Sequence, residues 1–464
     1  MIKLASHRRQ QVLALILILA LGFIVRALTA NFIRSHLDDA SWFPWGIYAV
    51  FDQQAQDGLD GRTSFFWIDD PSRTDLAIYP PGYPVWLALI YKLTGSRSAA
   101  TVQSVQWVLD AFSVLLIVGI GVTAFGWRAG VVAGAIAALW PLLAVYGALP
   151  LADAPTSWVV LGGVWMLLLA VKRSAVGWAI GAGALVGLSC WLRANAVLLI
   201  IFWAVALFVF SRAAWRRRLL SSGCLLIAGL VAIAPIVIRN KIAFHALIPT
   251  GLGLGTNLWE GLGESERGRI EFGAPASDAE LVQQERAKSS VPPDATFTSY
   301  YPDGIRRDRE RMWRSLSVIA RHPLWYSGVV LRRMAGVAKY AGPPLGDYGS
   351  AGVNVTSKKC LPEYYQKGAL AASVNLLGIS QSLLRYILIL LIPIGAYLAL
   401  RVDKQASALL LVTVFYYWVV NSMMHTHIRY TLPMHAIFTV FGGVAMCRFQ
   451  ELAFKRRRTT VQPA

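Results

Sequence analysis

The chain alternates long apolar runs with short polar breaks. A helix crossing a bilayer needs about 20 consecutive apolar residues. On that scale the runs at 11–30, 103–124, 129–149, 154–171, 219–238, 376–399, 406–424 and 431–449 each predict one span. The run at 175–211 is too long for a single crossing and is interrupted by Arg193-Ala194-Asn195, so it predicts two short helices with that tripeptide at the turn. Eight runs and this pair make ten spans. Residues 84–93 are apolar but short, and prolines precede them, which predicts an interfacial or re-entrant helix. Two long polar segments remain, 31–102 and 240–375. The second holds a charge-mixed stretch near 264–315 and an amphipathic stretch at 322–340, whose Arg332 and Arg333 place it on the membrane surface rather than across it.

Composition agrees with an all-α, polytopic integral membrane protein. Of 464 residues 56% are hydrophobic and 15% charged, against about a quarter charged in a soluble domain. The net charge of +19 would suit nucleic acid, but its placement argues against that partner. Arg128, Lys172-Arg173, Arg212 with Arg216-Arg217-Arg218, Arg401 with Lys404, and Arg448 with 455–458 all fall at alternate breaks. Cytoplasmic loops carry the excess of Lys and Arg, so both termini are expected in the cytoplasm and the two long segments outside. An extra span at 84–93 would put the 212–218 cluster outside, against that bias. The basic residues at 3–9 and the apolar run 12–25 resemble a secretory signal, but no A-x-A site follows, and a retained first helix is expected. The chain then divides into an N-terminal transmembrane module at 1–240 that includes the outer loop 31–102, an outer loop region at 241–375 with an interfacial helix, and C-terminal helices with a basic tail at 376–464. Cys190, Cys224 and Cys447 lie in apolar runs and only Cys360 in a long loop, so no structural disulfide is expected. No Cys/His spacing suggests zinc.

In this topology Asp38, Asp39, Asp153, Arg193, Arg239, His425, His427 and Arg429 all fall at outer helix ends. Carboxylates at one membrane face can take a proton from an acceptor hydroxyl or amine. Cations at the same face can neutralise a phosphate leaving group. Any one of these residues alone is as easily a solvated or snorkelling helix end; their convergence is what counts. An aromatic-proline run, Tyr79-Pro80-Pro81-Gly82-Tyr83-Pro84-Val85-Trp86-Leu87, lies in the first outer loop. Arg26 reads as a snorkelling residue. Asp110 and Arg385 lie within apolar runs, where pairing and lining a cavity are equally open. Gly251-Leu252-Gly253-Leu254-Gly255 has no βαβ context and reads as a flexible turn rather than a nucleotide loop. Asn354-Val355-Thr356 is a formal glycosylation sequon of little weight.

The order Asp38-Asp39, then 79–87, then Leu151-Ala152-Asp153-Ala154-Pro155 resembles the GT-C class of membrane glycosyltransferases. Within that class the chain is similar to the dolichyl-phosphate-mannose protein mannosyltransferases and the bacterial aminoarabinose transferases of lipid A (family 39). Gly187-Leu188 through Trp191-Leu192-Arg193, Ile238-Arg239-Asn240, Gly255-Thr256-Asn257-Leu258-Trp259 and Ile428-Arg429-Tyr430-Thr431-Leu432-Pro433 extend the likeness over most of the chain. The resemblance implies an inverting transfer of a sugar from a polyprenyl-phosphate donor to a glycan, lipid or protein acceptor at the outer face of a bacterial plasma membrane. It implies a general base at Asp38 or Asp39, a second acid at Asp153, phosphate binding by Arg193, Arg239, His425, His427 and Arg429, and an acceptor or donor loop at Tyr79, Pro81 and Tyr83. It implies no cofactor, and a divalent metal is not favoured. Two departures stand out: Asp39 falls where many relatives have Glu, and Ala194 follows Arg193 where Pro is common. A flippase of lipid-linked sugars and a non-catalytic envelope assembly protein are the alternatives. A flippase would place its ionisable groups near the bilayer midplane.

Overall fold

The computed structural model describes residues 2–34, 37, 45–68, 70, 74–338, 369–425 and 427–460. Asp38, Asp39, Cys360 and the sequon at 354–356 lie outside the described residues. In chain order the helices are α1 (Ile2–Arg34), α2 (Trp45–Leu59), α3 (Gly82–Thr94), α4 (Ala99–Phe125), α5 (Trp127–Leu139), α6 (Pro141–Ala148), α7 (Asp153–Arg173), α8 (Val176–Leu192), α9 (Leu199–Phe210), α10 (Trp215–Phe244), α11 (Leu254–Gly263), α12 (Glu266–Phe272), α13 (Asp278–Arg286), α14 (Gly304–Arg321), α15 (Pro323–Ala338), α16 (Ala369–Val402), α17 (Lys404–Met423) and α18 (Leu432–Thr460). No named strand occurs among the described residues.

Seven of these helices are long and apolar enough to cross a membrane: α1, α4, α7, α10, α16, α17 and α18. The pair α5–α6 makes an eighth crossing bent by 57°, and α8 and α9 are shorter apolar helices. These are the ten expected segments, and the split of 175–211 falls at Arg193, whose extended backbone (φ −149°, ψ 139°) ends α8. The run at 129–149, read as one span, is instead broken at Trp140 (φ −66°, ψ 116°). The cause is Pro141, which drives the residue before it out of the helical region and then starts α6. Large apolar side chains stay exposed along single faces, among them Leu13 and Leu17 on α1, Val205 and Val209 on α9, Ile227 and Val231 on α10 and Leu383 and Leu390 on α16. So broad an apolar girdle suits hydrocarbon rather than water.

One end of the bundle carries only short turns and the basic clusters, and there Lys172 pairs with Asp403 at 2.5 Å. Among the described residues, the other end carries α2 and α3 and the helices α11 to α15. Inside the bundle, one helical turn below Gln106, Arg26 Nε meets Asp110 Oδ2 at 2.6 Å. Arg26 Nη1 donates to the Ala138 carbonyl at 3.3 Å and Trp158 Nε1 to Asp110 Oδ1 at 2.6 Å. Arg26 is therefore not a snorkelling residue: it is fully buried and is the partner of Asp110. Charges at this depth are tolerated only when paired and hydrogen-bonded.

Within the amphipathic stretch a helix forms as α15, with Leu324 and Leu331 exposed. Arg333, however, does not lie on its outer face. Its guanidinium donates to the Ser422 and Met424 carbonyls (3.3 and 3.1 Å) and to that of Gly261, which pins α15 to the end of α17. The residues at 84–93 form α3, which packs by Tyr83, Leu87, Ile90 and Tyr91 into the main core.

Candidate functional site

Asp153 opens α7, where the unpaired N–H groups of a helix start favour a carboxylate. Its side chain is almost wholly buried and pairs with Arg193 Nη1 at 2.6 Å. Arg193 sits at the turn between α8 and α9, so the break in the 175–211 run is what delivers its guanidinium to the first turn of α7. Asp153 Oδ2 is buried and has no hydrogen-bond partner. The 149–151 backbone that leads into Asp153 is held by Gln106 Nε2, which donates to the Leu149 and Leu151 carbonyls at 3.0 and 3.1 Å.

Arg429 comes from the tight turn Ile428–Thr431 between α17 and α18. It is buried, its Nε has no partner, and its Nη2 donates to Tyr430 Oη at 3.3 Å. The Tyr430 ring lies within cation–π reach of both guanidinium groups, 4.6 Å from that of Arg193 and 5.1 Å from that of Arg429. Tyr79 and Tyr146 are also close enough to feel the charges of Arg193 and Arg429. Burial, reinforced by Tyr430, pushes the Tyr79 phenol up to about 12, so it remains a hydrogen-bond donor. Asp153 is bonded to Arg193, and its charge also acts on Arg429. No described carboxylate is in ion-pair contact with Arg429, and two guanidinium groups facing one carboxylate leave the cluster with a net positive charge.

The two histidines differ. His427 is buried, its Nδ1 has no partner, and its ring lies 5.5 Å from Tyr430. Burial, followed by the nearby Arg429, holds its pKa well below the usual imidazole range, so it offers a neutral donor rather than a cation. His425 is half-buried, with Nδ1 2.7 Å from Glu264 Oε1, while Glu264 Oε2 meets Arg333 at 3.1 Å. Its backbone N–H donates to the Asn257 carbonyl at 2.8 Å. Glu264, Arg333, Tyr146 and Tyr430 were not singled out from sequence as site residues. Tyr430 was adjacent to a chosen residue; the others are brought in only by packing.

The first outer loop reaches the cluster through Tyr79. Leu252 N–H donates to the Ala77 carbonyl at 2.8 Å, docking the glycine-rich turn onto the strip just before Tyr79. A Cβ at Gly251 would come within 2.6 Å of the Ile78 carbonyl, so the turn is a fitted contact rather than a merely flexible one. Gly82 does the same against α8, where a Cβ would meet the Trp191 carbonyl at 2.5 Å. Tyr83 plays a structural part. Fully buried, it donates its hydroxyl to Gln106 Oε1 at 2.6 Å and thereby supports the Asp153 turn from behind. Arg239, expected among the phosphate ligands, is engaged elsewhere. Its Nε donates to Asn240 Oδ1 (3.1 Å), its Nη1 to the Phe65 carbonyl (3.3 Å) and its Nη2 to the Leu76 carbonyl (2.8 Å). No described contact joins it to Arg193 or Arg429. With Pro81 and Tyr79 it lines a small, mostly apolar cleft.

The loop region packs around its own small core of Trp259, Leu262, Ala274, Leu281 and Tyr326. Asp308 accepts from the Gly253, Gly255 and Thr256 N–H groups and so caps α11. Glu285 binds Arg307 and Arg311 together, each at 2.5 Å. Beside this core, burial and then the neighbouring Asp278 push the Glu260 carboxyl up to about 9. Because the folded state holds this proton between about 4.5 and 9 while the unfolded state releases it, stability linked to Glu260 falls as pH rises through that window. Glu260→Gln, which mimics the protonated acid, is expected to melt above the wild type by a margin that grows from pH 5 to pH 9. A margin that does not change with pH, measured by thermal unfolding in detergent, would refute the assignment. Among the described residues no group of three His, Cys, Asp or Glu side chains gathers as a metal-binding set.

These features define an integral, multi-pass helical membrane protein with a cationic, aromatic-walled site at the loop-bearing end of its bundle. Residues 79–238 match the family model described as dolichyl-phosphate-mannose-protein mannosyltransferase. The matched segment contains Tyr79, Pro81, Tyr83, Asp153 and Arg193 and stops one residue before Arg239. No curated protein matches the chain. Among solved structures, it is similar to the oligosaccharyltransferase AglB of Archaeoglobus fulgidus in complex with an inhibitory peptide and a dolichol-phosphate. That alignment has 12% identity and a TM-score of 0.46, covering 96% of this chain and 52% of AglB. A second structure of the Archaeoglobus fulgidus oligosaccharyltransferase, tethered to an acceptor peptide, aligns with 15% identity and a TM-score of 0.49, covering 94% and 50%. ArnT of Cupriavidus metallidurans bound to undecaprenyl phosphate aligns with 14% identity and a TM-score of 0.35, covering 94% and 78%. The chain spans about half the length of the archaeal transferases it matches.

Proposed function

We propose that this protein is an inverting glycosyltransferase that moves a sugar from a polyprenyl-phosphate donor to an acceptor at the outer face of a bacterial plasma membrane. The observation that carries the reading is Arg429: a buried guanidinium without a described carboxylate partner, beside the neutral Asp153–Arg193 pair and the Tyr79 and Tyr430 rings. Such a site is short of one anion, and a lipid-borne phosphate at a bundle end supplies it. The match of 79–238 to the mannosyltransferase family supports the same chemistry.

In the proposed reaction Asp38 or Asp39 takes the proton from the acceptor as its heteroatom bonds to the anomeric carbon. The bond from that carbon to the phosphate oxygen breaks on the opposite face, and the electron pair leaves with the polyprenyl phosphate. Arg429, oriented with Tyr430, receives the growing negative charge, with Arg193 held beside it by Asp153 and His427 donating a neutral hydrogen bond. The phosphate departs as a stable anion and needs no general acid. No step is routed through a metal. The basic clusters at the opposite end of the bundle favour placing this end outside.

Purified protein in liposomes is expected to release polyprenyl phosphate from a polyprenyl-phosphate sugar, in step with glycosylation of an acceptor. Movement of the lipid-linked sugar between leaflets without release would replace this reading with a flippase. Single cysteines at positions 60 and 300 should label from outside, and those at 128, 172, 217 and 403 should not. Outside labelling at 217 would overturn the orientation.

A further inference from the structure

A helix leaves its last four carbonyl groups without partners inside it. Helix α17 runs to Met423 and ends at Met424 (φ −113°, ψ −167°) with no glycine or proline to stop it. Its end is closed instead by side chains of α15. Arg333 Nη1 donates to the Ser422 and Met424 carbonyls at 3.3 and 3.1 Å, and the Tyr326 hydroxyl donates to the Met423 carbonyl between them. Through Nη2 the same guanidinium reaches the Gly261 carbonyl of α11 and, at 3.1 Å, Glu264 Oε2. Glu264 Oε1 lies 2.7 Å from His425 Nδ1, and the His425 N–H donates to the Asn257 carbonyl at 2.8 Å. Every residue from Ser422 to His425 is thus gripped from the loop region.

The gripped stretch leads into the turn that presents His427 and Arg429. The His425 and His427 rings stand 6.4 Å apart, and the His427 carbonyl accepts the Tyr430 N–H at 3.1 Å. Arg429 has little else to place it. Its described side-chain hydrogen bond goes to Tyr430, the next residue in the same turn, so the guanidinium follows the backbone. Arg193, by contrast, is anchored to α7 through Asp153. The two guanidinium groups repel each other, so they stay on either side of the Tyr430 ring only if the turn is held. From the bundle side the described hold is weak, Asn195 Nδ2 to the Tyr430 carbonyl at 3.4 Å.

We infer that Arg333, oriented by Glu264, is a positioning residue for the proposed phosphate site: it fixes the end of α17 from the loop region and so holds the His427–Arg429 turn beside Arg193. This deepens the glycosyltransferase reading and rests on it. Arg333 touches no substrate in that reading. Its charge is answered by Glu264, and it acts through Arg429.

The test is a double-mutant cycle on the full-length protein in liposomes, reading polyprenyl-phosphate release from a polyprenyl-phosphate sugar. Arg333→Gln is expected to lower kcat/KM by about 10- to 100-fold, up to the cost of misplacing a reacting group by about 1 Å. Added to Arg429→Ala, the same substitution should cost no more than about twofold further, because the group it positions is already gone. A merely structural defect would lower both backgrounds by the same factor. Glu264→Gln keeps size and leaves the three carbonyl contacts of Arg333 in place. It should show a smaller fall with the same dependence on Arg429, and it decides the matter if Arg333→Gln does not accumulate. Backbone hydrogen exchange over 422–430 in the resting protein should quicken in either variant. Equal factors in the two backgrounds, wild-type kcat/KM in Arg333→Gln, or unchanged exchange over 422–430 would each overturn the inference while leaving the donor chemistry intact. Absence of any polyprenyl-phosphate release from the wild type would instead remove the glycosyltransferase reading, and this inference with it.

Discussion

Arg429→Ala is expected to lower sugar transfer by about 10²- to 10³-fold, the cost of removing one preorganised charge at a developing anion, while the protein still folds. The reason for both halves lies in what surrounds the side chain. Arg429 has no described carboxylate that its loss would strand, and its Nε is already without a partner. Arg26 is the control. Removing that guanidinium leaves Asp110 charged and buried at 2.6 Å from an empty place, and breaking a buried pair in this way costs about 3–5 kcal/mol. Arg26→Ala should therefore fail at accumulation or thermal stability, and Arg429→Ala at turnover. The measurements are yield and melting temperature in detergent beside the rate of polyprenyl-phosphate release. Full turnover in a well-folded Arg429→Ala protein would show that the phosphate binds elsewhere.

One of the two substitutions Asp38→Asn and Asp39→Asn is expected to abolish transfer, with Asp38 the favoured base. Both keep size and polarity and remove the proton acceptor, and loss of a general base costs about 10²- to 10⁴-fold. Donor binding should survive, because the cations proposed to hold the phosphate are on other elements. Asp153→Asn should be milder. Asp153 is already committed to Arg193 at 2.6 Å, so its loss acts through the orientation and charge of that guanidinium and should raise the donor KM more than it lowers kcat. Normal transfer by both Asp38→Asn and Asp39→Asn, in protein that binds donor as the wild type does, would remove the base from this loop.

Much of the architecture was legible in the amino-acid sequence because a bilayer fixes the length of a crossing and leaves few alternatives. The ten apolar segments, the division of 175–211 at Arg193 and the gathering of basic residues at one end follow from run length and charge placement alone. The bend at Trp140 was also written there, in Pro141, but run length outweighed it. Pairing was not legible. That Arg26 meets Asp110, that Arg193 is neutralised by Asp153, and that Arg239 is fixed by the Phe65 and Leu76 carbonyls depend on contacts between segments 40 to 174 residues apart. Sequence could place these cations at one end of a bundle but could not distinguish a matched charge from an unmatched one. Tertiary structure made that distinction, because the cost of burying a charge depends on which groups packing brings within a few ångströms of it.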